Sequence, residues 1–179
     1  MIFVMPMSKV LMVVAQKNFR DEELFIPKEM LQTEGHDVKI ASLARAKATG
    51  MLGASVMPDM AVHEANPDFF DAIIIVGGSG SPVLAESEDV LGLVQNANAR
   101  NKIVAAICLG PMALARAGVL AGKKATIFKT EESLKVLKQG GAKYTGEDVT
   151  VDGRFVTACG PHAANDFGRK LIEMLKEQH

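Results

Sequence analysis

The 179-residue chain has no tryptophan, one tyrosine and only two cysteines, Cys108 and Cys159. Two cysteines cannot build a disulfide framework, and free thiols suit a reducing compartment better than a single bridge does. There is no Cys-x-x-Cys pair and no Cys/His cluster with zinc spacing, so no structural metal is expected. An excess of one charge is also missing: 20 basic residues face 21 acidic ones, for a formal net charge of −1. Without a long like-charged run, neither nucleic acid nor an anionic membrane surface is an expected partner. No run of 18 apolar residues occurs, so no membrane-spanning helix is expected. The opening MIFVMPMSK is apolar but short, contains Pro6 and has no basic residue ahead of it. It does not read as a signal peptide. The compartment these absences point to is the cytoplasm.

What remains is ordinary globular material. Apolar residues make up 48% of the chain and charged residues 23%, which suits one domain spanning 1–179 with a sizeable core. Residues 1–8 read as a flexible or strand-leading N-terminus. No linker, internal repeat or low-complexity segment is visible.

Short β-rich runs alternate with helical patterns. KVLMVVA (9–15), DVKIAS (37–42), DAIIIVGG (71–78) and KIVAAI (102–107) read as strands. Two of them are continuous apolar runs, the mark of strands covered on both faces. Helices are expected over 18–35, 87–101, 110–120 and 160–178. The first has Asn18 as N-cap, acids in its first turn, Pro27 as a kink and Gly35 as its stop. Pro111 suits the first turn of the third. In the last, Ala164, Phe167, Leu171, Ile172 and Leu175 share one face. AKATGMLGASVMPD (46–59) reads as a hairpin or edge excursion, and 123–156 as a mixed region. Strands alternating with helices of this length imply right-handed βαβ units, hence a three-layer α/β/α sandwich with a mostly parallel sheet.

Ligands of such sheets bind at the carboxyl ends of the strands. Two ends stand out. Ala106-Ile107-Cys108-Leu109-Gly110 has the small-x-nucleophile-x-small layout of a nucleophile elbow. A sharp strand-to-helix turn strains the central residue, and small neighbours two positions away avoid collision. At a helix N-terminus the sulfur would ionise below its free value of about 8.5. Equally, Cys108 fits a buried small residue whose pKa rises. Spacing alone leaves both readings open. Gly77-Gly78 can offer backbone N–H groups to an oxyanion, or simply make a tight turn. GGSGSP lacks both phosphate-loop signatures, so no nucleotide or other cofactor is expected. Glu22 and Glu23 either sit in solvent at a helix start or send one carboxyl toward Cys108. His162 is the only histidine expected near the active edge, as an accessory base or as a surface residue.

FRDEELFIP (19–27), EGHDVKIAS (34–42), DAIIIVGGSGSP (71–82), AAICLGPMALARAGVLAGKKAT (105–126) and VDGRFVTACGP (151–161) together resemble the PfpI / DJ-one superfamily. The likeness runs from about Lys9 to Leu175. It implies a flavodoxin-like fold related to class I glutamine amidotransferase domains. It implies that Cys108 is the elbow cysteine, that Glu23 hydrogen-bonds its sulfur, and that Gly78 and the Leu109 N–H bind an oxyanion. Homodimers or larger assemblies are implied as well. Activities in the family include intracellular proteolysis, glutathione-independent glyoxalase, deglycation and oxidative-stress sensing through cysteine sulfinate.

Two departures matter. Protease-like members have His directly after the elbow cysteine, where this chain has Leu109. Another branch keeps a His where this chain has Phe128. A peptide leaving group needs a proton donor, so peptidase or amidase activity is disfavoured. The expected function is a stress-related protein with an oxidation-sensitive Cys108 paired with Glu23. The alternatives are an enzyme acting on small reactive carbonyls and a non-catalytic binding protein.

Overall fold

The computed structural model describes residues 7–178. The expectation for residues 1–8 therefore lies mostly outside the described residues. In chain order the strands are β1 (Lys9–Val13), β2 (Lys17–Phe19), β3 (Asp37–Ser42), β4 (Ala48–Gly50), β5 (Ser55–Val56), β6 (Met60–Ala61), β7 (Ala72–Ile75), β8 (Ile103–Ile107), β9 (Lys124–Ala125), β10 (Lys143–Tyr144), β11 (Val149–Asp152) and β12 (Phe155–Ala158). The helices are α1 (Asp21–Thr33), α2 (Glu88–Ala99), α3 (Pro111–Arg116), α4 (Glu131–Gln139) and α5 (Ala164–Glu177).

Seven strands form one sheet in the order β11-β12-β8-β7-β1-β3-β6. Every pairing is parallel except β11 with β12. The period-two alternation of a strand splits the core into two layers. On β1, Val10 and Met12 join Leu24 and Leu31 of α1 and Phe167, Leu171 and Leu175 of α5. Leu11 and Val13 face the other way, toward Val90 and Val94 of α2, Leu114 of α3 and Leu137 of α4. This is the expected α/β/α sandwich. Phe167, Leu171 and Leu175 are fully buried, and each such side chain contributes roughly 1.5–3 kcal/mol. Among the described residues no helix is long and apolar enough to cross a membrane.

One local expectation changes and two gain detail. Asn18 does not cap α1. It lies in β2 with a φ of 60°, a left-handed conformation that Asn tolerates better than most residues. The cap position falls to Arg20. Pro27, expected as a kink, lies inside α1, which runs on to Thr33. The hairpin reading of 46–59 holds for β4 and β5, but they pair with β2 in a separate three-stranded sheet.

Candidate active site

Chain geometry at the carboxyl end of β8 is that of an elbow. Cys108 has a φ of 63°, a left-handed angle that costs a non-glycine residue on the order of 1–3 kcal/mol. Its surroundings over-determine that angle. Cys108 N–H donates to the Ala158 carbonyl at 2.8 Å, and its own carbonyl accepts from Phe128 N–H at 2.8 Å. Two residues on, a Cβ at Gly110 would stand 2.5 Å from the Ile75 carbonyl oxygen. The small residue after the elbow is therefore demanded by close backbone approach.

The acid comes from α1. Of the two candidate glutamates, Glu22 turns outward to Arg20, with Oε2 2.5 Å from Nε. Glu23 turns inward and is wholly buried. Between Glu23 and Cys108 stands Gly77: a Cβ there would lie 2.5 Å from Glu23 Oε1 and 2.5 Å from Cys108 Cβ. Only a residue without a side chain lets the carboxyl and the thiol approach. Gly78 has a φ of 117°, and its missing Cβ makes room for the backbone of Phe19 and Arg20. The backbone N–H groups of Gly78 and Leu109 act on the Cys108 sulfur, and that of Gly77 on the Glu23 carboxyl. Among the described residues, neither Glu23 oxygen has a well-formed hydrogen bond. The proximity of Cys108 is nevertheless felt electrostatically.

Burial dominates both titrations. It pushes the Glu23 carboxyl up to about 8, against smaller opposing effects of Cys108, Arg20 and the Gly77 N–H. It pushes the Cys108 thiol up to about 12, with the negative charge of Glu23 as the next cause. A thiol ionising below 8.5 is thus not what the fold provides. Helix α3 has six residues, too short for a large dipole, and desolvation outweighs it. At neutral pH the pair is a protonated carboxyl beside a protonated thiol, with Cys108 7% exposed.

Among the described residues, no histidine attends this pair. Leu109 is half-buried and packs against both core layers. Phe128 is fixed beside the elbow by its backbone bond to Cys108, and its ring is partly exposed. His162 does not reach Cys108: its ring bonds Asp148 and Cys159 instead. The α5 entry turn carries it toward the β11 side of the sheet.

Two residues near the pair escaped the sequence reading. Arg20 presents a positive charge to Glu23 and Cys108. Asp21 accepts from Leu52 N–H at 2.9 Å and Ala54 N–H at 3.0 Å, tying the β4–β5 hairpin to the start of α1. Their signal was present in FRDEE, a charged run right after a strand, but its inward and outward members cannot be told apart without the fold.

Comparisons with known proteins agree with this fold. The model of the DJ-1/PfpI family matches residues 8–174. An uncharacterized protein of Methanocaldococcus jannaschii is 41% identical over 173 residues, covering 96% of this chain and 84% of that one. A deglycase of Pyrococcus horikoshii is 34% identical over 168 residues, 94% of this chain and 99% of the relative. The crystal structure of a ThiJ/PfpI domain protein from Brachyspira murdochii superposes with a TM-score of 0.91 at 30% identity, over 96% of this chain and 98% of that one. A strained cysteine at the carboxyl end of β8, a buried glutamate against it, and these matches along nearly the whole length make the chain a member of the DJ-1/PfpI family.

Proposed function

We propose that the protein is a cysteine-dependent enzyme acting on small reactive carbonyl compounds, with Cys108 as nucleophile and Glu23 as proton shuttle. The observation that carries this reading is the buried Glu23 carboxyl against the Cys108 thiol, with an ionisation near 8. A group titrating close to working pH both takes and returns a proton. The naming of the Pyrococcus horikoshii relative as a deglycase supports the same substrate class. The slight exposure of Cys108 suits a small electrophile.

The chemistry is proton-neutral overall. The Cys108 sulfur forms a bond to an aldehyde carbon as the carbonyl π pair moves to oxygen. That oxygen accepts from the N–H groups of Gly78 and Leu109. The thiol proton passes through Glu23 to the oxygen, leaving a hemithioacetal. With a 2-oxoaldehyde, one Glu23 oxygen then takes the hydrogen of the former aldehyde carbon as a proton while the acid gives its own proton to the ketone oxygen, and the C–H pair becomes the double bond of an enediol. Glu23 next gives a proton to the former ketone carbon and takes back the hydroxyl proton of the sulfur-bearing carbon, which becomes the thioester carbonyl. The resulting thioester is hydrolysed by water to a 2-hydroxy acid, which frees the thiol.

Incubation with methylglyoxal tests this by lactate release. Turnover should vanish in Cys108→Ala and fall roughly 10²–10⁴-fold in Glu23→Gln. Wild-type lactate no higher than in buffer would remove the reading. Among the described residues no histidine stands beside Cys108, which argues against peptide cleavage, since that needs a proton donor for the amine. A homodimer or larger assembly belongs to the same reading, and light scattering on the purified chain checks it.

A second reading rests on a specific feature. The N–H groups of Gly78 and Leu109, with a protonated Glu23, supply donors for the oxygens of a Cys108 sulfinate. Oxidative sensing would then use the same residues. It needs thiolate first, which the raised Cys108 ionisation makes scarce, so it stands second.

A further inference from the structure

The β11–β12 hairpin gathers three side chains that the Cys108 site does not use. Asp148 precedes β11 and Cys159 follows β12, and the register pairs Val149 with Ala158. Cys159 N–H donates to the Asp148 carbonyl at 3.0 Å, so the two residues stand side by side at the open end. Gly160 and Pro161 then turn the chain, closed by Ala163 N–H to the Gly160 carbonyl at 3.0 Å. This turn brings His162 back over Cys159.

The three donor atoms form a closed triangle. His162 Nε2 lies 3.2 Å from Asp148 Oδ1 and 3.5 Å from Cys159 Sγ, and that sulfur lies 3.6 Å from the same Oδ1. A catalytic Cys–His–Asp relay has another shape, in which each ring nitrogen serves a different partner. Here one nitrogen faces both partners, and it carries at most one proton. A shared centre accounts for the triangle. Zinc holds sulfur at about 2.3 Å and nitrogen or oxygen at about 2.0–2.1 Å. At the tetrahedral angle those lengths give edges of about 3.3 Å for N to O and about 3.5 Å for S to N and S to O. The three measured edges match this tetrahedral face.

We propose that Asp148, Cys159 and His162 form a three-ligand site for a borderline divalent transition-metal cation of the Zn²⁺ class, with the fourth position open to water or a small ligand. A thiolate–imidazole–carboxylate set suits such a cation and suits Mg²⁺ or Ca²⁺ poorly. Three protein ligands with an open position is the pattern of reactive rather than purely structural zinc sites. The sequence holds only a lone pair, Cys159 and His162 three residues apart, which by itself is no Cys/His cluster with zinc spacing and gave no expectation of a metal. The third ligand arrives only through hairpin pairing. The site lies one strand from the elbow, since Ala158 pairs with Ile107, and it is chemically independent of Cys108.

Titration of the purified full chain with Co²⁺ tests the proposal. One Co²⁺ per chain should give a thiolate-to-cobalt charge-transfer band and tetrahedral d–d bands, both erased by Zn²⁺. Cys159→Ser should lose the charge-transfer band, and Cys108→Ala should keep it. His162→Ala and Asp148→Asn should weaken Zn²⁺ binding by more than the roughly 10–100-fold that an outer-shell partner costs. Melting gives an independent readout: saturating Zn²⁺ should raise the Tm of the wild type and of Cys108→Ala, and not that of His162→Ala. A band that survives in Cys159→Ser, no band in the wild type, or a Tm rise that persists in His162→Ala would each overturn the site.

Discussion

Glu23 and Cys108 meet across a residue that has no side chain. The space a Cβ would need at Gly77 is taken from both sides, at 2.5 Å by a Glu23 oxygen and at 2.5 Å by Cys108 Cβ. The pair belongs to different segments of the chain, and its closeness depends on that glycine.

Gly77→Ala should therefore destabilise the fold by about 1–3 kcal/mol, the ordinary cost of overpacking a tight site. The nearby Ile107 carbonyl, also 2.5 Å from the added atom, cannot move without disturbing the elbow. Urea unfolding measures the loss. The same variant should titrate Cys108 independently of Glu23, because the two groups are pushed apart.

Stability should fall as pH rises from about 4.5 toward 8. Glu23 is neutral when folded until about 8, whereas its free value is 4.5. Across that window the folded state binds more protons than the unfolded one, so unfolding gains on folding by up to about 1.4 kcal/mol per pH unit. Glu23→Gln keeps a neutral amide in the same space and should flatten the slope. Denaturant midpoints at several pH values check it. An equal slope in both proteins would rule out Glu23 as its source.

Cys108 should react slowly with iodoacetamide at pH 7, more slowly than the partly exposed Cys159. Its ionisation is raised first by burial and next by the charge of Glu23. Glu23→Gln removes the second cause, so the alkylation midpoint of Cys108 should move down by about 1 pH unit or more. Mass spectrometry of each cysteine-containing peptide follows the two rates separately. The midpoint moving upward would mean that the glutamate chiefly helps the thiolate.

Asp21→Ala should loosen the β4–β5 hairpin. Its carboxylate oxygens accept from Leu52 and Ala54 and fill the space of a Gly50 side chain. Leaving those N–H groups unpaired costs about 1–3 kcal/mol. The hairpin also touches the glycine loop, where Ser79 N–H meets Met51 Sδ at 3.3 Å. Amide exchange at residues 50–54 should quicken in the variant while exchange in β1 and β7 stays slow.

Much of this molecule is local and was readable as such. Alternating strand and helix patterns follow from side-chain periodicity, so the layers, β3 and the buried face of α5 appear in the letters themselves. The elbow is local too: small residues at 106 and 110 around Cys108 are what a left-handed turn demands. Tertiary structure alone decided the chemistry. Periodicity in FRDEE cannot say that Glu22 pairs with Arg20 while Glu23 is buried, because both lie in one helical turn. A short motif cannot give the ionisation of Cys108, since desolvation comes from layers far apart in sequence. With only strand ends known, His162 could be an accessory base near Cys108 or a surface residue. Antiparallel pairing of β11 with β12 gave it Asp148 and Cys159 instead, because register across a hairpin, not distance along the chain, sets which side chains meet.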